Sequence, residues 1–260
     1  MILGCGYTGA RVAQLVEGEV LRARAHEAEG CLRFDVLDAS THAALAEAVK
    51  PGARVLYSLP VLRTEAGYRA TADVVVPLLA GRAARVVYLS TTGVYGDAEL
   101  VDETTPAAPR NERERLRVEE EQAVMAGPWS AMVLRPAAIY GPGRGVQESM
   151  RAGRYKLPGD GSNFISRIHV DDLAEHCARA LESGVEGIFP VADEEACEAR
   201  EIAAYCARLL GVAMPEFTER LPEDDTRRAN RRVDGRAVRR LLGVTLRYPG
   251  YREGIAASLG

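Results

Sequence analysis

The chain opens on a short apolar run, Met1-Ile2-Leu3, that feeds a turn, Gly4-Cys5-Gly6-Tyr7-Thr8-Gly9. Ala10, Val12, Ala13 and Val16 then recur at helical spacing. Apolar segments at 20–25 and 31–36 predict the second and third strands. An alanine-rich helix over 41–50 is closed by Pro51-Gly52, and a strand over 54–59 is stopped by Pro60. The pattern continues with a helix over 68–80, a buried strand over 84–90, a charged helix over 112–125 and a strand over 130–135. Strands that are apolar throughout, alternating with helices, predict a doubly wound parallel α/β sheet. Beyond about residue 141 glycine and proline crowd the chain. Helices over 171–182 and 199–210 flank a strand near 188–191, and a basic helix spans 234–242. No internal repeat or low-complexity tract interrupts the pattern, so a single domain over 1–260 is expected, its later part forming a small cap woven onto the sheet. Three residues precede Gly4, where a buried parallel strand takes about 5–6. The first strand is therefore either trimmed or begins upstream.

With 260 residues, 47% apolar and 27% charged, the composition is that of an ordinary globular chain and excludes wholesale disorder. The 33 basic and 37 acidic residues leave a net charge of −4, which argues against a nucleic-acid or anionic-membrane surface. The pairs Arg227-Arg228 and Arg231-Arg232 do not change this, because Glu223-Asp224-Asp225 offsets them and no aromatic stacking set accompanies them. No apolar stretch is long enough to cross a bilayer and no signal-like segment opens the chain, so a cytoplasmic protein is expected. Five scattered cysteines form no Cys-x-x-Cys pair and four histidines form no His-Glu-x-x-His group, so no metal site is expected. Lysine is nearly absent, only Lys50 and Lys156.

Gly4-x-Gly6-x-x-Gly9 lies after a strand and opens a helix, the setting of a Rossmann-type dinucleotide fingerprint. Gly4 makes the tight turn, Gly6 lets the backbone approach a pyrophosphate, and Gly9 permits close helix–strand packing. The helix start adds partial positive charge. Cofactor choice is read on the second strand, which carries Arg22 and Arg24 where an NAD site has an acid. Guanidinium suits a 2′-phosphate, so NADP is favoured. Glu27 and Glu29 lie a few residues on and keep NAD as the alternative.

Four further motifs carry a family resemblance. Leu89-Ser90-Thr91-Thr92-Gly93-Val94-Tyr95-Gly96-Asp97, Arg135-Pro136-Ala137-Ala138-Ile139-Tyr140-Gly141-Pro142-Gly143, Arg167-Ile168-His169-Val170-Asp171-Asp172-Leu173 and Tyr248-Pro249-Gly250-Tyr251-Arg252-Glu253-Gly254 follow one another in order. Together with the glycine turn they span most of the chain and resemble the NAD-dependent epimerase/dehydratases, the extended short-chain dehydrogenase/reductases. The resemblance implies that Gly4, Gly6, Tyr7, Thr8 and Gly9 hold the pyrophosphate and that Asp35 and Val36 flank the adenine. It also implies that Ser58, Leu59 and Pro60 line the cofactor channel, that Thr91 bonds the reacting oxygen, and that Pro136 to Ile139 pack by the nicotinamide. Structural roles stay open beside these: Asp35 as a strand-end cap, Pro60 as a strand stop, Thr91 as a turn hydroxyl.

The family's acid/base pair is Tyr-x-x-x-Lys on the following helix, the lysine lowering the tyrosine pKa. This chain lacks it. Aligned on Glu121-Gln122, the helix places Arg113 at the tyrosine and Arg117 at the lysine, and no tyrosine lies between Tyr95 and Tyr140. Arginine is a poor proton donor, with a pKa above about 12. Arg117 can still hold ribose or phosphate, and Arg113 can orient an anion or polarise a carbonyl. Both could instead be solvated members of a charge-laced helix. Tyr95 is the first candidate proton donor and Tyr140 the second, with His169 a third residue able to face the substrate. Arg144, Gln147 and Arg167 are placed in the substrate wall. Two functions follow. One is an NADP-linked oxidoreductase or epimerase-like enzyme acting on a small polar carbonyl, alcohol or sugar derivative. The other is a catalytically inactive NADP(H)-binding regulatory or scaffold protein. A homodimer through the Tyr68 and Glu112 helices is expected by family analogy.

Overall fold

The first strand, β1 (Ile2–Leu3), is two residues long, yet both side chains are buried at the centre of the sheet. Its backbone is clamped on both sides. Ile2 N donates to Leu21 O at 2.8 Å and Gly4 N to Ala23 O at 2.9 Å, while Leu56 N reaches Met1 O at 2.9 Å and Ser58 N reaches Leu3 O at 2.8 Å. Short as it is, β1 therefore delivers the glycine turn to a fixed place. The structure, a computed structural model, describes residues 1–219 and 229–259. The pairs Arg227-Arg228 and Glu223-Asp224-Asp225 lie outside the described residues.

The remaining strands of the main sheet are β2 (Arg22–Arg24), β3 (Leu32–Arg33), β4 (Ala53–Tyr57), β5 (Ala83–Leu89), β6 (Ser130–Pro136) and β7 (Gly187–Val191). Among the described residues these seven form one sheet in the order β7-β6-β5-β4-β1-β2-β3, all pairs parallel. The order reverses beside β1, which puts the topological switch point, where such sheets hold ligands, at the glycine turn.

Period-2 alternation sorts the apolar side chains onto two faces. Val87, Leu89, Met132 and Leu134 pack with Val12 of α1 (Gly9–Leu15) and Leu173 and Cys177 of α6 (Val170–Glu182). Val86, Tyr88, Ala131 and Val133 face the other way, onto Leu45 of α2 (His42–Ala48), Val75 of α3 (Ala72–Leu79) and Val124 of α4 (Glu112–Met125). A third cluster gathers Tyr140, Met150, Ile202 and Tyr251, using α5 (Val146–Arg151), α7 (Ala199–Leu210) and α9 (Tyr251–Leu259). β7, α6 and α8 (Arg236–Leu242) return to the sheet between and after these elements, so the later chain is interwoven with the earlier.

The helix expected over 68–80 is shorter. Leu62–Thr64 and Gly67–Arg69 pair as an antiparallel hairpin, so Tyr68 is on a strand and the helix starts at Ala72. Gly67, at φ +122°, supplies the turn, and Thr64 Oγ1 donates to Gly67 O at 3.0 Å. The basic helix starts at Arg236 rather than 234, because the Asp234 carboxylate accepts Arg236 N at 2.9 Å ahead of it. No helix of the described residues is long and apolar enough to cross a membrane.

Candidate active site

The C-terminal ends of β1, β4, β5 and β6 bring the sequence motifs together. At the glycine turn each glycine meets a different environment. Gly4 has φ +84°, and a Cβ there would lie 2.5 Å from Ser58 O. A Cβ on Gly9 would lie 2.8 Å from Gly4 O and 2.9 Å from Ile2 Cγ2. A Cβ on Gly6 would meet nothing within 4 Å. Gly4 and Gly9 are thus demanded by the protein's own packing, whereas Gly6 faces open space, the cradle a pyrophosphate would fill. Thr8 is buried in this turn. Tyr7 Oη donates to Pro142 O at 3.0 Å, and its ring carries Arg11 at 4.4 Å and Arg144 at 5.5 Å, which ties the turn to the 141–145 loop.

Beyond β3, where the resemblance places the adenine, Asp35 Oδ1 accepts Leu37 N at 2.9 Å and shapes its own turn, while the Val36 side chain is in the core. Arg22 and Arg24 flank buried Ala23 on one side of β2. Arg22 lies over the Gly30 turn, but the Arg24 guanidinium makes no hydrogen bond or ion pair among the described residues. Arg33, which the sequence reading passed over, pairs opposite Arg24 across the β2–β3 ladder and bonds Asp38 at 2.9 Å.

Pro136, Ile139, Ser90, Thr91, Arg113 and Arg117 line a cavity of about 530 Å³, with Arg144 and Arg167 on its walls. Thr91 Oγ1 accepts Gly93 N at 3.1 Å, which leaves its O–H free to donate. Arg117 is not a solvated surface charge. It is 8% exposed, and its Nη1 reaches Tyr88 Oη at 2.5 Å, Leu59 O at 3.0 Å and Glu120 Oε2 at 3.5 Å. Glu120, itself fully buried, accepts Tyr88 O–H, Thr71 N at 2.6 Å and Thr71 Oγ1 at 2.8 Å. Burial works against the Arg117 charge, but Tyr88 and Glu120 outweigh it and hold the guanidinium above its ordinary pKa. Its Nε is buried with no partner, a donor that a cofactor hydroxyl could satisfy. Ser58 borders Gly4, Leu59 binds Arg117 through its carbonyl, and Pro60 is exposed.

Several expected residues are placed elsewhere. Tyr95 is 1% exposed, its ring under Arg135 at 4.7 Å, and it does not reach the cavity. Burial raises its pKa, against the pull of Arg135. Tyr140 is buried with Oη on Gly250 O at 3.2 Å. His169 is sandwiched between Tyr140 and Tyr248 and caps α6 by accepting Asp171 N at 3.2 Å; burial lowers its pKa to about 4, so it is neutral. Gln147 is fully buried and donates to Gly141 O at 3.0 Å and Arg144 O at 2.9 Å, holding the loop rather than facing a substrate. The apolar environment of these side chains is a product of tertiary packing that their motif positions do not reveal.

Three residues were missed. Glu121 takes a two-point bond from Arg135, at 2.9 and 2.6 Å, and Ser90 Oγ at 2.5 Å, so it pins α4 to the ends of β5 and β6. Arg231 donates to the carbonyls of Thr92, Gly96 and Ala98 and shapes the loop after Thr91. Arg154 stands on the cavity wall. In the sequence Glu121 serves only as an alignment marker, and nothing local distinguishes the two arginines from the other basic residues. Among the described residues no cluster of three or more His, Cys, Asp or Glu could hold a metal ion.

The profile of the NAD dependent epimerase/dehydratase family matches residues 33–192. The chain belongs to this family. Protein YeeZ of Escherichia coli (strain K12) is 29% identical over 205 residues, 75% of this chain and 71% of YeeZ. The epimerase/dehydratase fold is shared with MoeE5 solved with UDP-glucose and NAD, at TM-score 0.83 and 20% identity, covering 99% of this chain and 96% of that one. It is shared also with human epimerase family protein SDR39U1 (isoform 2) solved with NADPH, at TM-score 0.76 and 18% identity, covering 99% and 98%.

Proposed function

We propose that the protein is an NADP-linked oxidoreductase acting on a small polar carbonyl or alcohol, sugar-type compounds included. The observation that carries this reading is that Thr91, Arg113, Arg117 and the Pro136–Ile139 strip wall one cavity at the sheet edge that also bears the glycine turn. Gly4, Gly6, Tyr7, Thr8 and Gly9 hold the pyrophosphate, the Asp35-Val36 turn borders the adenine, and Arg24 takes the 2′-phosphate. Arg117 holds the ribose through its unpartnered Nε. A bound nicotinamide supplies hydride exchange at a substrate carbon. Thr91 donates its free O–H to the reacting oxygen. Arg113, in the place of the family's phenol, stabilises negative charge on that oxygen without giving up a proton. The proton itself comes from water.

Family neighbours solved with NAD and with NADPH leave both nucleotides open, and the free guanidinium of Arg24 is what favours NADP. Titration with NADPH and NADH, read by nicotinamide fluorescence, tests the choice. Arg24→Ala is expected to weaken NADPH about 10- to 100-fold, the loss of a charged hydrogen bond of roughly 1.5–3 kcal/mol, and to leave NADH unchanged. Absence of binding by both nucleotides to the wild type defeats the reading. The missing Tyr-x-x-x-Lys pair favours a second one, an NADP(H)-binding protein without catalysis. Tight NADPH binding with no oxidation across a carbonyl panel would select it.

A further inference from the structure

Among the described residues seven arginines line the cavity, against a single carboxylate, Glu114. Four of the seven are committed. Arg110 bonds Asp97 at 2.7 Å and uses Glu114, which also accepts Arg110 N at 2.7 Å. Arg117 is taken by Tyr88 and Glu120, and Arg231 by three backbone carbonyls. Arg167, 3% exposed, donates Nη1 to Ile165 O at 2.8 Å and Cys197 Sγ at 3.1 Å, and keeps Nη2 buried without a partner. The guanidinium groups of Arg113, Arg144 and Arg154 make no hydrogen bond or ion pair among the described residues; that of Arg144 lies over the Tyr7 ring.

Guanidinium does not deprotonate in proteins. The walls therefore hold three permanent positive charges with no carboxylate in contact among the described residues, Arg113 half-buried and Arg144 and Arg154 exposed. Position sharpens the point. Arg113 precedes Arg117 by one helical turn on the same face of α4, and Arg117 reaches Leu89 O at 3.4 Å, two residues before Thr91. Arg113 thus stands level with Thr91, where the reacting carbon would lie.

We propose that the substrate carries a compact oxyanion, a carboxylate or a phosphoryl group, close to its reacting carbon, and that Arg113 and Arg154 grip it. The class is that of oxo and hydroxy acids or phosphorylated carbonyl compounds. This rests on the oxidoreductase reading above. In the reducing direction the carbonyl carbon would gain the hydride and its two electrons that a reduced nicotinamide supplies, its π pair would move to oxygen, and that oxygen would take a proton from water.

The test is calorimetric titration of the full chain, with and without NADPH, using malonate, inorganic phosphate and the uncharged malonamide. Malonate or phosphate is expected to bind at least tenfold tighter than malonamide and to weaken with added salt. Arg113→Gln and Arg154→Gln should each cost about tenfold. Preference for malonate assigns a carboxylate, and preference for phosphate a phosphoryl group. Equal binding of malonamide, no binding of either anion, or anion binding intact in the double variant overturns the proposal. Nicotinamide fluorescence separates the two readings. Cofactor binding without anion binding refutes this inference alone, and absence of cofactor binding refutes the oxidoreductase reading while the anion titration still reports on the cavity.

Discussion

Replacing Glu120 by glutamine removes the counter-charge behind Arg117 while keeping the side-chain shape. Glu120 is fully buried and Arg117 is 8% exposed, with Nη1 to Oε2 at 3.5 Å. At that distance the pair interacts by about 5 kcal/mol at an effective dielectric constant near 20. Glutamine can still accept from Thr71 N and Thr71 Oγ1, and Tyr88 can rotate its O–H, so the hydrogen-bond losses are partial. The dominant effect is a buried guanidinium left uncompensated, for which about 3–5 kcal/mol is the usual cost. In a chain of this size that lowers the thermal midpoint by roughly 6–20 °C. Scanning calorimetry of Glu120→Gln, Arg117→Met and the double variant measures it. The double variant should recover more than half of the Glu120→Gln loss, because no unpaired charge remains. A single-variant loss below about 1 kcal/mol, or no recovery in the double variant, would refute the claim that Arg117 is held as a buried, compensated cation.

Gly9→Ala should cost about 1–3 kcal/mol, since its Cβ would be driven into Gly4 O and Ile2, whereas Gly6→Ala should leave the midpoint unchanged and weaken NADPH; thermal melts and nucleotide fluorescence separate the two. Asp193 is 4% exposed, and burial, opposed by Arg167, raises its pKa from 3.8 to about 8. The folded state therefore keeps a proton that the unfolded chain releases above pH 3.8, so this stabilisation is complete below that pH and is lost as pH rises through about 8. Between pH 6 and 8.5 the wild type should lose about 2–3 kcal/mol relative to Asp193→Asn, read by urea unfolding at both pH values. Parallel pH dependence of the two proteins would show that Asp193 does not titrate in that range.

The fold was legible because its signals are local. The glycine turn, the apolar strands over 84–90 and 130–135 and the charged helix over 112–125 depend on nearest neighbours in sequence, and the structure places them within a residue or two: β5 is Ala83–Leu89, β6 Ser130–Pro136, and α4 runs Glu112–Met125. The hairpin at Gly67 was hidden because Tyr68 and Arg69 suit a helix as well as a strand, and the positive φ of one glycine decides between them. Site chemistry was less legible, because exposure and pairing are long-range. Tyr95 and Tyr140 read as available phenols until Arg135 and the Gly250 carbonyl are found against them. Arg113 and Arg117 read alike on the helix, yet packing leaves one free and buries the other.

That difference between the two arginines governs what the site can do. Arg117 is committed to the network behind it: Nη1 meets Tyr88, Leu59 O and Glu120, while Nε stays unpartnered, a second donor that a lysine ammonium would not carry. Restoring tyrosine at 113 alone would therefore place a phenol one turn from a cation already committed to Tyr88 and Glu120. The phenol pKa would fall only as far as that shielded charge permits, so Arg113→Tyr should not create the family's acid/base pair. The free guanidinium at 113 makes a different kind of site. It cannot deliver a proton, but it can hold negative charge beside Thr91 at every pH the fold survives. Under the proposed function, the cleft exchanges hydride with an anionic carbonyl compound whose oxygen is protonated by solvent. A flat pH profile for hydride transfer across the neutral range, with no limb from a titrating phenol, is the kinetic signature of that arrangement.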